Sequence, residues 1–310
     1  MDHNIAVVNK KPFSLRLKKS IPHYILIAPA ILWYVFFHYM PIYGIQISFR
    51  HFNPIAGMWN SQWAGFHYFS MFLRDAGFWR VMRNTVLLNI YGLIFAFPFP
   101  IIFALFLNEL RSKAFMRVSQ TISYLPYFIS WVVVASIWRS MLSPSSGVVN
   151  QILGGLGIEP IYFLAKAEYF RTILIAQGVW KGFGMSAVYY IAALAGIDQE
   201  LYQAAAIDGA GRLKQTWHIT LPGLRNIVIV LFVLNLGGMI SSGFEQPFLM
   251  YNPMVYETGD VIGTYVYRIG LEKAQYSYTA AISLTQNIVG FVLVYSANRL
   301  SRVLAGWSLW

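Results

Sequence analysis

The sequence predicts an all-α fold: a polytopic membrane bundle of about six transmembrane helices with one cytoplasmic helical elbow. Three observations predict it. Of the 310 residues, 57% are hydrophobic and 11% charged, where a soluble globular chain carries about 25% charged residues. The apolar residues gather into runs of roughly 20, the length that crosses a bilayer. The net charge of +11 lies largely beside those runs, the bias of cytoplasmic segments in membrane proteins, so a membrane explains it better than nucleic acid does. The chain has no cysteine, which excludes a disulfide framework and a thiolate metal site.

In chain order, residues 1–22 form a basic tail and 23–310 one membrane domain. Lys10, Lys11, Arg16, Lys18 and Lys19 precede an apolar run too long for a signal-peptide core and without a small-residue cleavage site, so the run reads as an anchor whose basic flank stays in the cytoplasm. The first span is expected at 23–48, kinked by Pro29, Pro41 and Gly44. Residues 50–83 are rich in aromatics (Trp59, Trp63, Phe66, Tyr68, Trp79) and suit the outer interface. An interfacial helix there would accommodate Arg74, Arg80 and Arg83. The second span, 84–107, holds Pro98 and Pro100, which neighbouring helices are expected to satisfy. A short basic link at 108–117 belongs inside. The third span is expected at 121–141, an outside loop at 143–169, and the fourth span at 170–195. The elbow, 197–222, is inside. The fifth span is expected at 223–241, an outside segment with Pro247 and Pro253 at 242–276, and the sixth span at 277–298. There is no low-complexity segment and no clear internal repeat.

The elbow is the longest polar interruption in the second half. Residues 202–207 are Ala-rich and predict a helix. Asp208-Gly209 ends it, because Gly tolerates a left-handed turn. Residues 212–219 predict a second short helix with Leu213, Trp217 and Ile219 near one face, and Pro222 suits the first turn of a following helix. Pattern alone fits an ordinary amphipathic connector.

The residues themselves say more. Ala204, Ala205, Asp208, Gly209, Ala210, Ile219, Leu221 and Pro222 follow the register Glu-Ala-Ala, two residues, Asp-Gly-Ala, eight residues, Ile, one residue, Leu-Pro. This resembles the cytoplasmic loop of binding-protein-dependent ABC transporter permeases, with Gln203 where the family usually has Glu. PIYGIQISF at 41–49, FPFPIIFALFLNELR at 97–111 and GFEQPFLMYNP at 243–253 are similar to the oligosaccharide and polysaccharide subgroup. The resemblance implies a type I importer fold in a bacterial plasma membrane. It implies a heterodimer with a second permease subunit, two ATPase subunits that bind ATP and Mg, an external solute-binding protein, and a carbohydrate cargo, an oligosaccharide above all. The elbow would be the ATPase contact, with Asp208-Gly209-Ala210 setting the turn and Leu213 and Trp217 seated in an ATPase groove. Gln203, Ala204, Ala205, Ile219 and Pro222 complete that coupling set.

The absences narrow the chemistry. No G-x-x-x-x-G-K-[ST] or His-Glu-x-x-His occurs, so ATP hydrolysis must come from a partner and no zinc hydrolase site is expected. The acids fall in tails, loops or span ends. An ion-coupled secondary carrier, the rival reading, needs an ionisable group within the membrane, and only Lys181 lies near a span's middle. A membrane enzyme would need clustered nucleophile, base or metal ligands, which are not found. Within ABC permeases, another small solute remains an alternative cargo. Candidates for a substrate path are Tyr189 and Tyr190 in the fourth span, Asn235 in the fifth, Gln286 and Asn287 in the sixth, together with Glu245 and Gln246. The competing role for each is helix–helix hydrogen bonding.

The basic tail and the even span count predict a cytoplasmic N-terminus and elbow. Single cysteines at Ser14 and Gln215 should therefore resist a membrane-impermeant thiol reagent in intact cells. Ready labelling of either refutes the topology.

Overall fold

A computed structural model describes residues 13–238 and 243–305, with side chains for 20–236 and 243–302. The described chain is helical apart from turns, loops and one antiparallel bridge, Arg50 to Trp63. Residues 1–12 of the expected tail lie outside the described residues. The rest of the tail is already helical, since α1 spans Phe13–Tyr34. It continues through a π turn, Val35–Tyr39, into a 3₁₀ segment, Tyr43–Phe49. This first span, Ser20–Phe49, buries none of its most apolar stretch against the rest of the chain.

Next come a short α2, His67–Leu73, and a long second span, Ala76–Asn108. The span is built of α3, Ala76–Tyr91, a π turn, Gly92–Ala96, and α4, Pro98–Asn108. Arg80 and Arg83 belong to the first turns of this span rather than to an interfacial helix. They face acids from the other end of the sequence: Arg83 lies 2.8 Å from Glu257 and Arg80 3.9 Å from Asp260.

The prolines are satisfied differently from the expectation. Three π turns, Val35–Tyr39, Gly92–Ala96 and Thr216–Thr220, each end two residues before a proline: Pro41, Pro98 and Pro222. A proline ring clashes with the carbonyl four residues back and brings no N–H. One extra residue in the preceding turn moves that carbonyl away. At these three prolines the adjustment lies within the helix itself.

The expected third span is not straight. It is two helices, α5, Lys113–Phe128, and α6, Trp131–Met141, bent by 103°. Ile129 and Ser130 between them are extended, and the Ser130 side chain caps α6 by accepting from the Val133 amide. The broken end of α5 is held from outside. Lys181 donates to the carbonyls of Pro126, Tyr127 (2.8 Å) and Ile129, with its ammonium over the rings of Tyr127 and Trp131. A cation at a helix C-terminus meets both orphan carbonyls and the negative end of the dipole. This accounts for the one charge near a span's middle.

A short α7, Val148–Gly155, lies in the expected outside loop. The central element is α8, Ala167–Ala195, 29 residues long. It packs against α3 to α5 and against the fifth span. At Gly184 an added Cβ would sit 2.0 Å from the Ser123 carbonyl, so only glycine lets α8 touch the α5 backbone.

Beyond it lie α9, Gln199–Ile207, α10, Arg212–Gln215, and α11, Leu221–Gly238. The expected end of the fifth span at 241 falls outside the described residues. The segment expected as a polar loop after it is folded into α12, Glu245–Met250, α13, Tyr256–Gly259, and α14, Ile262–Val266, capping the bundle end away from the elbow. The last span is α15, Tyr276–Ala305.

Four helical stretches are long and apolar enough to cross a membrane, and the broken α5–α6 pair is a fifth if counted as one. The expected fourth span, α8, has the length at 29 residues but a more polar composition, as its central place allows. Three core clusters hold the bundle. One is at the elbow end around Tyr190 and Leu224, and two are toward the opposite end, around Phe170 and Val261 and around Phe72 and Ile282.

Lys181→Met should remove the ammonium from the Tyr127 and Ile129 carbonyls, and from the Pro126 carbonyl that the Ile129 amide also serves, and cost about 1–3 kcal/mol, the range for hydrogen bonds to a charged group. Lys181→Arg should cost less. Thermal unfolding midpoints of the purified subunit in detergent test this, and equal midpoints for Met and Lys refute it.

Candidate functional site

The elbow is built as a helix stop of defined geometry. Asp198 caps α9 by accepting from the Glu200 amide at 2.9 Å. At the other end the Gly209 amide donates to Ala206 O (3.1 Å) and the Ala210 amide to Ala205 O (2.8 Å). That bond pair is the Schellman motif, with Gly209 at its left-handed position, φ +76°. Its accompanying side-chain contact falls to Ala205 and Ala210, both half-buried. Thus the Ala-Ala and Asp-Gly-Ala parts of the sequence pattern are one local structure. A Cβ on Gly209 would meet nothing within 4 Å; the constraint there is the backbone angle alone.

The second arm differs from its expectation. Residues 212–219 do not form a separate helix before a new one at Pro222. Arg212–Leu236 is one continuous stretch, and the π turn Thr216–Thr220 makes room for Pro222. The elbow's second arm is therefore the end of the fifth span. Arg212 pairs with Glu109 at 2.7 Å, Tyr202 Oη meets Thr220 Oγ1 at 3.0 Å, and the Gln215 amide donates to Ala210 O at 3.0 Å. Against this frame Ile207 and Leu213 are each 88% exposed and Trp217 69%. Gln203, Ala204, Asp208 and Pro222 are also exposed, and Ile219 is half-buried.

Four of the substrate-path candidates come together between α3–α4, α8 and α11. Tyr189, Tyr190 and Asn235 line a cavity of about 320 Å³. Asn235 and Gln246 line a neighbouring one of about 440 Å³. Tyr190 is buried and Tyr189 open. The Gln246 amide donates to Leu174 O (2.7 Å) and to Gln177 Oε1 (3.0 Å). Glu245, Gln286 and Asn287 line neither cavity. Two residues escaped the sequence reading. Asn89 lines both cavities, and Gln177 is fully buried with its Nε2 unpartnered. Both are amides within spans, the same signal that marked Asn235.

The end opposite the elbow carries a network of charges that sequence order hid. Asp260 is fully buried. It accepts from the Thr264 hydroxyl (2.8 Å) and from Arg268 (3.1 Å). Burial works against the Arg268 charge, yet the Asp260 carboxylate holds its pKa above the usual range. Asn84 donates to the carbonyls of Glu257 and Asp260, each at 3.0 Å, and accepts from Arg171 at 2.8 Å. Asp75 accepts from Tyr265 (2.5 Å), Tyr278 (2.6 Å) and the Gly77 amide (2.8 Å). Burial alone would raise the Asp75 carboxyl, but these donors hold it below its usual pKa. Burial and the same bond push Tyr265 up to about 12. The Arg83 hydrogen bond holds Glu257 below the usual carboxylate value.

Among the described residues no three metal-ligating side chains gather. The arrangement offers amide and phenol groups to a polar ligand in the bundle and apolar knobs to a protein at the elbow.

Residues 96–304 match the family described as binding-protein-dependent transport system inner membrane component. The chain is 41% identical to protein LplB of Bacillus subtilis (strain 168), covering 92% of this chain and 90% of LplB. It is 38% identical to the polygalacturonan/rhamnogalacturonan transport system permease protein YteP of the same strain, covering 96% and 94% of the two chains. A solved bacterial alginate ABC transporter, in complex with its alginate pentasaccharide-bound periplasmic protein, contains a chain that matches with a TM-score of 0.89. That match has 38% identity and covers 96% of this chain and 99% of that one. With the elbow signature and the helical bundle already in place, the match over most of the length makes this chain a member of the binding-protein-dependent transport system inner membrane components, a multi-pass permease subunit of an ABC importer and not an enzyme.

Proposed function

We propose that the chain forms half of the membrane channel of an ATP-driven importer, receives an oligosaccharide from an external binding protein, and releases it into the cytoplasm. The observation that carries the reading is the elbow. It is a helix stop that leaves Ile207 exposed on its first arm and Leu213 and Trp217 on its second, and the second arm continues without a break into a span that lines the cavities. Apolar knobs of this kind fit a groove on another protein. With no phosphate loop in the chain, that protein is an ATPase subunit holding ATP and Mg. Two such subunits serve this chain and a second permease. The bare first helix supports a second permease, since its apolar side chains find no cover in this chain.

The cavity amides and tyrosines suit sugar hydroxyls, few polar groups set in apolar walls. Alginate and polygalacturonan, named in two of the matches, are carboxylate-bearing polymers. The opposite end of this bundle gathers Arg80, Arg83, Arg171 and Arg268 around Glu257 and Asp260, with Glu168 beside Arg171, and guanidinium groups suit the carboxylates of an acidic sugar. The basic tail and the elbow lie in the cytoplasm on this reading, and the arginine end faces the binding protein.

The test is the reconstituted complex of two permeases, two ATPase subunits and binding protein. A binding protein loaded with a uronate oligosaccharide should stimulate ATP hydrolysis and uptake more than one loaded with a neutral oligosaccharide. Gly209→Val should abolish both while leaving expression near normal, because forcing a side chain into the left-handed region costs only about 1–2 kcal/mol yet tilts the two arms of the elbow. Gln203→Glu should be mild. Uptake by Gly209→Val at the unmutated rate overturns the coupling role.

A further inference from the structure

A third cavity, about 760 Å³, lies along α8 against α3 and α4 and adjoins the amide-lined pair, with which it shares Ile175, Val179 and Phe183. Its walls are Tyr91, Phe95 and Phe99 on one side and Ile175, Val179 and Phe183 on the other. Near one end stands Arg171. Among the described residues this guanidinium makes one side-chain hydrogen bond, to Asn84, and no ion pair. Its Nε is buried without a partner. Glu168 lies at the same mouth but forms no ion pair with it. A guanidinium without an acid partner at the head of an aromatic slot calls for an anion carrying an apolar body.

The dimensions select among such ligands. From Glu168 to Phe183 is 15 residues of α8, or about 22 Å at 1.5 Å per residue. One leaflet of a bilayer, headgroups included, is about 20–22 Å thick. The polar end of the slot therefore falls at headgroup depth and its apolar end near the membrane centre. A sugar chain would need donors and acceptors along its whole length. Below Arg171 this slot offers the Thr172 hydroxyl, the Tyr91 phenol and the Trp180 indole N–H, set among apolar side chains.

We infer that this groove holds an anionic phospholipid of the leaflet away from the elbow, with its phosphate on Arg171 and an acyl chain along Ile175, Val179 and Phe183. The inference rests on the topology proposed above, which makes that leaflet the outer one. Two cationic roles are then separate at this end of the bundle. Arg80 and Arg268 are spent on Asp260 and Arg83 on Glu257, whereas Arg171 is kept for a ligand. The Asn84 side chain, pinned to two carbonyls of the α13 region, fixes the direction of the guanidinium.

The experiment is native mass spectrometry of the complete, delipidated transporter, titrated with dioleoyl phosphatidylglycerol, with dioleoyl phosphatidylcholine, and with glycerol phosphate as a headgroup without chains. Phosphatidylglycerol should be retained in preference to phosphatidylcholine. Arg171→Gln should weaken its retention about tenfold or more, as loss of a charged hydrogen bond does, and Arg171→Lys less. Ala176→Trp, which fills the open wall of the groove, should weaken retention of both lipids. Equal retention by the unmutated complex and Arg171→Gln overturns the inference. So does displacement by glycerol phosphate at matched concentration, which marks a free-phosphate site, or displacement by a uronate oligosaccharide, which makes the groove part of the cargo route. A disulfide between Ala176→Cys and a cysteine on the second permease would also overturn it, because a protein helix would then cover the groove. Uptake is measured on the same preparations. A complex that transports but shows no lipid preference overturns this inference alone; one that keeps the lipid preference with no transport under any loaded binding protein overturns the permease reading and leaves the lipid site standing.

Discussion

In hydrocarbon no water is available to a free backbone group, so each carbonyl and amide needs a partner inside the protein. Most of the irregular features of this bundle answer to that demand. Prolines at 41, 98 and 222 would each strip a helix of a bond and push a ring into a carbonyl. In each case a π turn two residues upstream absorbs the misfit. At the sharp break after α5 the Ile129 amide recovers the Pro126 carbonyl, and Lys181 crosses from α8 to donate to that carbonyl and to those of Tyr127 and Ile129. The lysine is thereby removed from the list of ion-coupling groups. Its donors are committed to backbone, and its charge stabilises a bend rather than a moving ion.

The same demand explains why the elbow is specified so tightly in sequence. A helix that stops must satisfy its last carbonyls, and here the Schellman bonds from Gly209 and Ala210 do so. Only glycine adopts φ +76° without strain, and small residues at 205 and 210 let the closing contact form. The requirement is local in sequence, within about eight residues, and so it appears as a readable pattern. The register beyond it, Ile219 to Pro222, marks the place where the second arm enters the fifth span.

Legibility elsewhere follows the same divide. The spans were visible because length and apolar composition are local properties, and the element order matched. The break at Ile129–Ser130 was hidden because Pro126 alone does not distinguish a kinked span from two helices; the deciding residue, Lys181, is more than 50 positions away. The charge network at the far end was equally hidden. Asp260, Glu257 and Asp75 read as loop acids; Glu257 lies instead in α13, and the partners Arg80, Arg83, Tyr265 and Tyr278 come from other elements. Of the cavity residues, Tyr189, Tyr190, Asn235 and Gln246 were marked by polarity inside spans. Gln286 and Asn287 carry the same mark and line neither of the two amide-bearing cavities, since polarity shows that a side chain needs a partner and not which one.

Continuity of the elbow with α11 bears on how force would travel. From Leu213 to Asn235 is 22 residues, about 33 Å of helix, unbroken except for the widened turn at Thr216–Thr220. One end presents exposed Leu213 and Trp217, and the other lines both amide-bearing cavities. A displacement at the proposed ATPase contact would then reach the cavities through a single element, with Glu109–Arg212 tying the same arm to the end of α4, whose Pro100 lines the first cavity. Two walls of the path are thus joined to one lever. A π turn is the least regular point of that lever, and its position next to the contact, rather than beside the cavity, concentrates bending near the elbow and leaves the cavity-lining turns of α11 to move as a rigid body.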